Sequence, residues 1–311
     1  MKLVGFLMPS HILINYVLNG GTMEILKALL LGIIQGVTEF LPISSSGHLS
    51  VFRQLFNVET DTAGLFSAML HIGTLVAILL MFYKPIYELY AEFILCIKDF
   101  LKGNFSFNLK KMSATRRMLF MFIISCIPLL LLLVPTGKDT NLMDSVSVFS
   151  SDDSLLAEGI CFMVTGFLLI LGTTLNANYK AKKNVTALSA IIIGIAQLFA
   201  ACFPGISRSG STISAGLCCG VSKKNMIRYS FILCIPAVLA SGFVEFKDAM
   251  ETDVIVPVLP LVIGVITSAV VGVFAIKLLQ ILMKKDLFKY FGFYCLALGF
   301  ITTIISAISK I

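Results

Sequence analysis

The sequence predicts an all-α polytopic membrane protein made of two inverted five-helix repeats, with six transmembrane spans and two re-entrant helix-loop-helix hairpins. Three observations predict it. Of the 311 residues, 58% are hydrophobic and only 13% charged, where an average soluble domain carries roughly 25% charged residues. Too few polar groups remain to cover a globule, which excludes a soluble enzyme, a disordered chain and a secreted disulfide scaffold. The apolar stretches run about 17 to 22 residues, enough to cross ~30 Å of hydrocarbon as helix, whereas an outer-membrane barrel needs shorter alternating segments. Finally, basic and acidic residues alternate from one connecting loop to the next.

Residues 1–22 form an N-terminal extension with Lys2, a short apolar run broken by Pro9 and no small-residue cleavage site, so a signal peptide is not expected. Met23 is the expected true start: Asn19-Gly20-Gly21-Thr22-Met23 can be encoded with GGAGG just ahead of ATG, a ribosome-binding site read as protein. The first repeat is expected over 23–175 and the second over 176–311. Full spans are predicted at 64–83, 117–134, 155–175, 225–244, 255–276 and 288–308. Regions 25–57 and 186–222 differ, because polar elbows interrupt them at Pro42-Ile43-Ser44-Ser45-Ser46-Gly47-His48 and Pro204-Gly205-Ile206-Ser207-Arg208-Ser209-Gly210. Neither region can be one straight helix.

Loop charges set the orientation. Segment 98–117 carries Lys98, Lys102, Lys110, Lys111, Arg116 and Arg117, while 136–158 carries Asp139, Asp144, Asp152, Asp153 and Glu158 against Lys138. The first is assigned inside and the second outside. The alternation then puts Lys180, Lys182 and Lys183 inside, 247–253 outside, and Lys284, Lys285 and Lys289 inside. On this scheme 186–222 starts and finishes inside and 25–57 starts and finishes outside. An even pair of crossings also satisfies the charges, but the short second limbs favour a re-entrant dip, which is tolerated when buried in protein. The net charge of +7 follows from retained basic loops, so no nucleic-acid partner is expected. The eight cysteines lie nearly all in apolar segments without CxxC spacing and read as small core residues.

An internal repeat supports the same scheme. Gly32-Ile33-Ile34-Gln35 then Pro42 matches Gly194-Ile195-Ala196-Gln197 then Pro204, with a Ser-x-Ser-Gly turn following in both. Since the copies enter from opposite faces, the two elbows are expected to meet near the midplane.

Charges in a bilayer interior are costly, so Glu39 and Arg208 are functional candidates. Gln35 and Glu39 share one helical face, followed by Ser44, Ser45, Ser46, Gly47 and His48; the second elbow offers Ser207, Arg208, Ser209, Gly210, Ser211 and Thr212. Each elbow starts a helix after a Ser/Gly turn, so free backbone N–H groups suit an anion, and the arginine fork suits phosphate oxygens. Helix-start serines more often cap than react, and a buried Glu–Arg pair proves nothing by itself. His71, within a span, reads as a packed helix residue. What raises the elbows above these plainer readings is convergence: carboxylate, hydroxyls, imidazole and guanidinium fall in two short turns that the topology brings together.

Gln35-Gly-Val-Thr-Glu39-Phe-Leu-Pro-Ile-Ser-Ser-Ser-Gly-His48 and Pro204-Gly-Ile-Ser-Arg208-Ser-Gly-Ser-Thr212 resemble the two signature motifs of the undecaprenyl-diphosphate phosphatase family, also called BacA or UppP. The resemblance runs from Met23 over nearly the whole chain. It implies a membrane hydrolase that converts undecaprenyl diphosphate to the monophosphate carrier of cell-wall synthesis and so confers bacitracin resistance. It implies catalytic roles for Glu39, Ser45, His48 and Arg208. Phosphate binding falls to Gln35, Ser44, Ser46, Gly47, Ser207, Ser209, Gly210 and Thr212. A divalent cation, Mg²⁺ or Ca²⁺, is implied at Glu39, relieving the repulsion between that carboxylate and a diphosphate. The implied setting is a bacterial plasma membrane with an outward-facing site, and a homo-oligomer is compatible with it. Gln at 35, where the family also has Glu, speaks against a mechanism needing two carboxylates there. Ser45, His48 or water are all open as the nucleophile.

Two other classes compete. Inverted repeats with broken helices are also a transporter design, but the halves differ in chemistry: Glu39 corresponds to Ala201 and His48 roughly to Ser211, which suits one catalytic centre better than an alternating site. An intramembrane serine protease leaves Arg208 and the anion-shaped turns without a use.

Overall fold

The computed structural model describes residues 22–55, 63–105, 112–136, 142, 155–178, 184–203, 205–250 and 258–309. The extension up to residue 21, Pro204, and most of the loop charges used for orientation (Lys110, Lys111, Lys138, Asp139, Asp144, Asp152, Asp153, Lys180, Lys182, Lys183 and 251–253) lie outside the described residues. Among those described, all regular structure is helical. The helices are α1 (Thr22–Phe40), α2 (Ser45–Leu55), α3 (Ala63–Met81), α4 (Tyr83–Leu101), α5 (Ala114–Cys126), α6 (Leu156–Asn178), α7 (Ala187–Cys202), α8 (Arg208–Cys218), α9 (Lys223–Met250), α10 (Val258–Lys284) and α11 (Phe288–Ser309). A 3-10 segment, Ile127–Leu133, extends α5. Its second residue is Pro128, which has no N–H for the α-helical ladder and crowds the preceding turn.

Among the described residues five helical stretches are long and apolar enough to cross a membrane: Ala114–Leu133, Leu156–Asn178, Lys223–Phe243, Val258–Lys284 and Phe288–Ile308. They coincide with five of the expected spans. The segment expected as a sixth span, 64–83, is occupied by α3, which turns through 84° into α4 and is long and apolar enough only together with it. That second helix was not expected. Its charges, Lys84, Glu88, Glu92, Lys98 and Asp99, are too many for a span but suit a helix lying across the end of the bundle. Leu89 and Ile86 face inward onto Leu119 and Ile232, while Tyr83, Tyr87 and Tyr90 are exposed on the outer face, a residue type that concentrates at membrane–water interfaces. Arg116 of α5 pins α4, its Nε donating to Glu92 at 2.6 Å and its terminal nitrogen to Asp99 at 2.7 Å.

The interrupted regions break where the sequence predicts. The chain turns over 41–44 between α1 and α2, and between Cys202 and Arg208 from α7 to α8. Around them α10 packs on α1 and α3, α9 on α3, and α6 on both α8 and α11. The α6–α11 contact is backbone-close: a Cβ built on Gly159 meets the Gly299 oxygen at 3.0 Å, and one built on Gly166 meets the Gly292 oxygen at 2.6 Å. Small residues are needed there, as is usual where membrane helices associate without a hydrophobic driving force. The main core cluster runs from Phe40 and Ile43 at the first elbow to Ile213 and Leu217 of α8, with Tyr229 and Phe231 of α9 between them.

Candidate active site

Each elbow is built by a capped helix start. Ser44 has φ of 73°, and its Oγ accepts from Gly47 N–H at 3.2 Å. Ser207 does the same for α8, accepting from Gly210 N–H at 3.0 Å, and its own N–H donates to Thr165 Oγ1 at 3.0 Å. Gly205 sits at φ of 101°, a region open to glycine at no steric cost. The turns touch directly, because Gly205 N–H donates to Ser46 Oγ at 3.0 Å from one elbow to the other. A helix N-terminus therefore starts at each side of one small volume.

The carboxylate of Glu39 is the hub. Its side chain is only 4% exposed and is ion-paired with Arg208 through Oε1. Oε2 accepts from Ser45 Oγ at 2.8 Å and from Gln35 Nε2 at 3.2 Å. Four of the predicted residues thus meet at one carboxylate, although Arg208 is 169 positions away along the chain. The pair is not sealed off: the Arg208 side chain keeps 19% exposure, and Ser45 is half-buried. A guanidinium carries five donors, so an anion arriving from that side can be held without displacing Glu39.

His48 stands elsewhere. Its Nδ1 lies 2.7 Å from the Ser44 carbonyl and its Nε2 lies 2.8 Å from Tyr294 Oη, with the two rings stacked 5.8 Å apart. A carbonyl can only accept, so Nδ1 carries the proton and Nε2 receives the tyrosine hydroxyl. Among the described residues His48 makes no hydrogen bond to Ser45; the ring fixes the turn through the Ser44 carbonyl. Several predicted phosphate contacts hold structure as well. Ser209 bonds Ser207 Oγ at 3.3 Å, Thr212 bonds Ser230 Oγ at 2.7 Å and the Arg208 carbonyl at 2.9 Å, and Gly210 packs near the Pro42 carbonyl. Of the two elbows, Ser46 is the exposed hydroxyl.

Three residues join the site without having been predicted in it. His71 of α3 places Nε2 3.8 Å from Glu39 Oε2 while its Nδ1 bonds the Ser67 carbonyl at 2.9 Å. Cys234 of α9 places Sγ 3.8 Å from Glu39 Oε1. Tyr294 of α11 is the partner of His48. The sequence signal for His71 was its being an ionisable residue inside a span; the other two carried none. Beside the first elbow an apolar groove of about 430 Å³ runs past Ile43, Leu282, Leu287, Phe291 and Tyr294.

A family model described as bacitracin resistance protein BacA matches residues 28–301. The chain belongs to the BacA family. Among its BacA relatives, an undecaprenyl-diphosphatase of Methanosphaera stadtmanae is 39% identical over 289 residues, covering 92% of this chain and 99% of the relative. One from Halothermothrix orenii is 37% identical, covering 92% of this chain and 100% of its own. A third, from Treponema denticola, is 37% identical and covers 89% and 96%. Glu39, Ser45, His48 and Arg208 all fall inside the segment matched by the BacA model.

The metal implied by the resemblance can be tested against this donor set. Among the described residues no group of three His, Cys, Asp or Glu is placed to hold a metal ion, so a closed protein cage is not offered. Gln35 Oε1, however, is buried without a hydrogen-bond partner, one helical turn from Glu39. A carboxylate and an amide oxygen one helical turn apart are hard donors that fit an ion such as Mg²⁺, which binds through one or two carboxylates plus substrate phosphates.

Proposed function

We propose that the protein is an integral membrane undecaprenyl-diphosphatase. It hydrolyses undecaprenyl diphosphate to undecaprenyl phosphate and inorganic phosphate, recycles the lipid carrier for cell-wall synthesis and thereby confers bacitracin resistance. The observation that carries this reading is the Ser45–Glu39–Arg208 cluster, which joins a hydroxyl, a base and an anion clamp across the two elbows. The apolar groove past Ile43 and Tyr294 suits the isoprenoid tail, and the curated relatives bear the matching name.

The terminal phosphate binds the free donors of Arg208 and the exposed N-terminal turn at Ser46. Glu39 takes the Ser45 proton over 2.8 Å as Oγ attacks phosphorus. The Oγ–P bond forms, the bridging P–O bond breaks, and undecaprenyl phosphate leaves. Glu39 gives that proton to the departing lipid phosphate and, ionised again, deprotonates a water that attacks phosphorus; the Oγ–P bond breaks, the proton returns to Ser45 Oγ, and inorganic phosphate leaves. His48 keeps the turn in place, held between the Ser44 carbonyl and Tyr294. Gln35 and Glu39 would hold Mg²⁺ or Ca²⁺, which neutralises charge on the diphosphate when bound. Trapping and mapping a phosphoenzyme tests the nucleophile: label on Ser45 supports it, while label on His48, or Ser45→Ala turning over normally, rejects it.

The same reading includes two inverted repeats, with α1–α2 and α7–α8 as re-entrant hairpins. Helix contacts support it. Gly32 of α1 approaches Gly264 of α10, and the matching Gly194 of α7 approaches Ser125 of α5; α6 and α11 occupy equivalent positions and pack on each other, with Gly159 facing Gly299 and Gly166 facing Gly292. An outward-opening centre suits recovery of lipid released during wall synthesis.

A further inference from the structure

At the end of the bundle where α5 and α9 begin, a cavity of about 200 Å³ is lined by Glu88, Thr115, Arg117, Asn184, Asn225 and Arg228. We propose that this cavity is a second phosphoryl-binding site, separate from the Glu39–Arg208 centre, and that it holds the phosphate group of an anionic lipid or free phosphate at the cytoplasmic end. The proposal does not depend on the hydrolase reading.

The neighbouring arginines make the argument. Arg116 is satisfied by Glu92 and Asp99 at 2.6 and 2.7 Å. Arg117, the next residue, has no side-chain partner among the described residues and turns into the cavity. Arg228 Nε is buried there and likewise has no partner. Its terminal nitrogen reaches Glu88 at 3.4 Å, but those side chains are 42% and 57% exposed, and an exposed pair of that length contributes little. Two guanidiniums against one carboxylate leave a net positive cavity. Asn184 and Asn225, joined at 3.4 Å, and Thr115 add neutral polar groups to its wall.

The adjoining segments 106–111 and 179–183 contain Lys110, Lys111, Lys180, Lys182 and Lys183 and no Asp or Glu. They bring no acid that could neutralise the arginines. The same basic residues put this end inside the cell, on the leaflet rich in anionic headgroups. Paired arginine forks are the side chains that bind phosphate oxygens in a bidentate manner.

The test uses the full-length protein in neutral detergent carrying Arg208→Ala, which removes the clamp at the other centre. One arm titrates inorganic phosphate by calorimetry; another counts bound phosphatidylglycerol by native mass spectrometry, with diacylglycerol as the phosphate-free control. The expected result is one bound phosphoryl group. Adding Arg117→Gln with Arg228→Gln weakens it at least about tenfold, as expected for loss of charge-assisted bonds. Asn225→Asp, which preserves shape but places a carboxylate beside Arg228, produces the same loss even if the glutamine pair fails to fold. Phosphate binding alone identifies a free-anion site and phosphatidylglycerol binding alone a headgroup site. Binding of neither, or binding undiminished by Asn225→Asp, overturns the proposal.

Discussion

Glu39 distributes its two oxygens between a guanidinium and a hydroxyl, and each partner makes a different prediction. Arg208→Lys keeps the charge but loses the fork, so kcat should fall and KM rise, lowering kcat/KM by about tenfold or more in detergent kinetics. Chelation should stop turnover and Mg²⁺ restore it; Gln35→Ala, which removes the orphaned oxygen, should raise the Mg²⁺ needed for half-activity by roughly 10-fold to 100-fold. Activity that ignores chelator would reject the metal reading. Glu39, Ser45 and Arg208 were legible because each is polar where the chain should be apolar. His71 was not recognised, since in a uniformly apolar span periodicity does not tell which face meets the elbow. Its 3.8 Å approach to Glu39 exists only because α3 and α1 are both packed on α10.

At the scale of helices, the α6–α11 pair depends on four glycines in backbone contact. Gly166→Leu forces a side chain into the Gly292 carbonyl and should separate the helices, at a cost of about 1–3 kcal/mol or more; a lowered melting temperature in detergent reports it, and an unchanged one would mean that the contact is not close. Gly242 has nothing near its absent side chain, and its alanine variant serves as a control for handling. Both elbow positions were readable, as Pro, Ser and Gly clusters cannot continue a helix. The turn into α4 was not: Tyr83–Leu101 mixes charges with apolar residues, and only docking onto Leu119 and Ile232 decides between helix and loop.

The chemistry is divided between the two elbows, with base and hydroxyl on one and the clamp on the other. The repeat was visible in the Gly–Gln–Pro spacing, and loop charges suggested opposite insertion. Which residues touch between the elbows, including Ser46 with Gly205, depends on packing that no local pattern encodes. Single cysteines at Ser113, Thr136 and Asn184 in a cysteine-free background test the orientation: an impermeant reagent outside intact cells should label position 136 alone. Labelling at 113 or 184 would invert the scheme. The central claim is tested most directly by phosphate release from undecaprenyl diphosphate by the purified protein in detergent, where no gradient exists, beside its Glu39→Gln variant. The expected result is steady turnover that falls about 10²–10⁴-fold in the variant; no release by the wild type, or equal release by both, would contradict it.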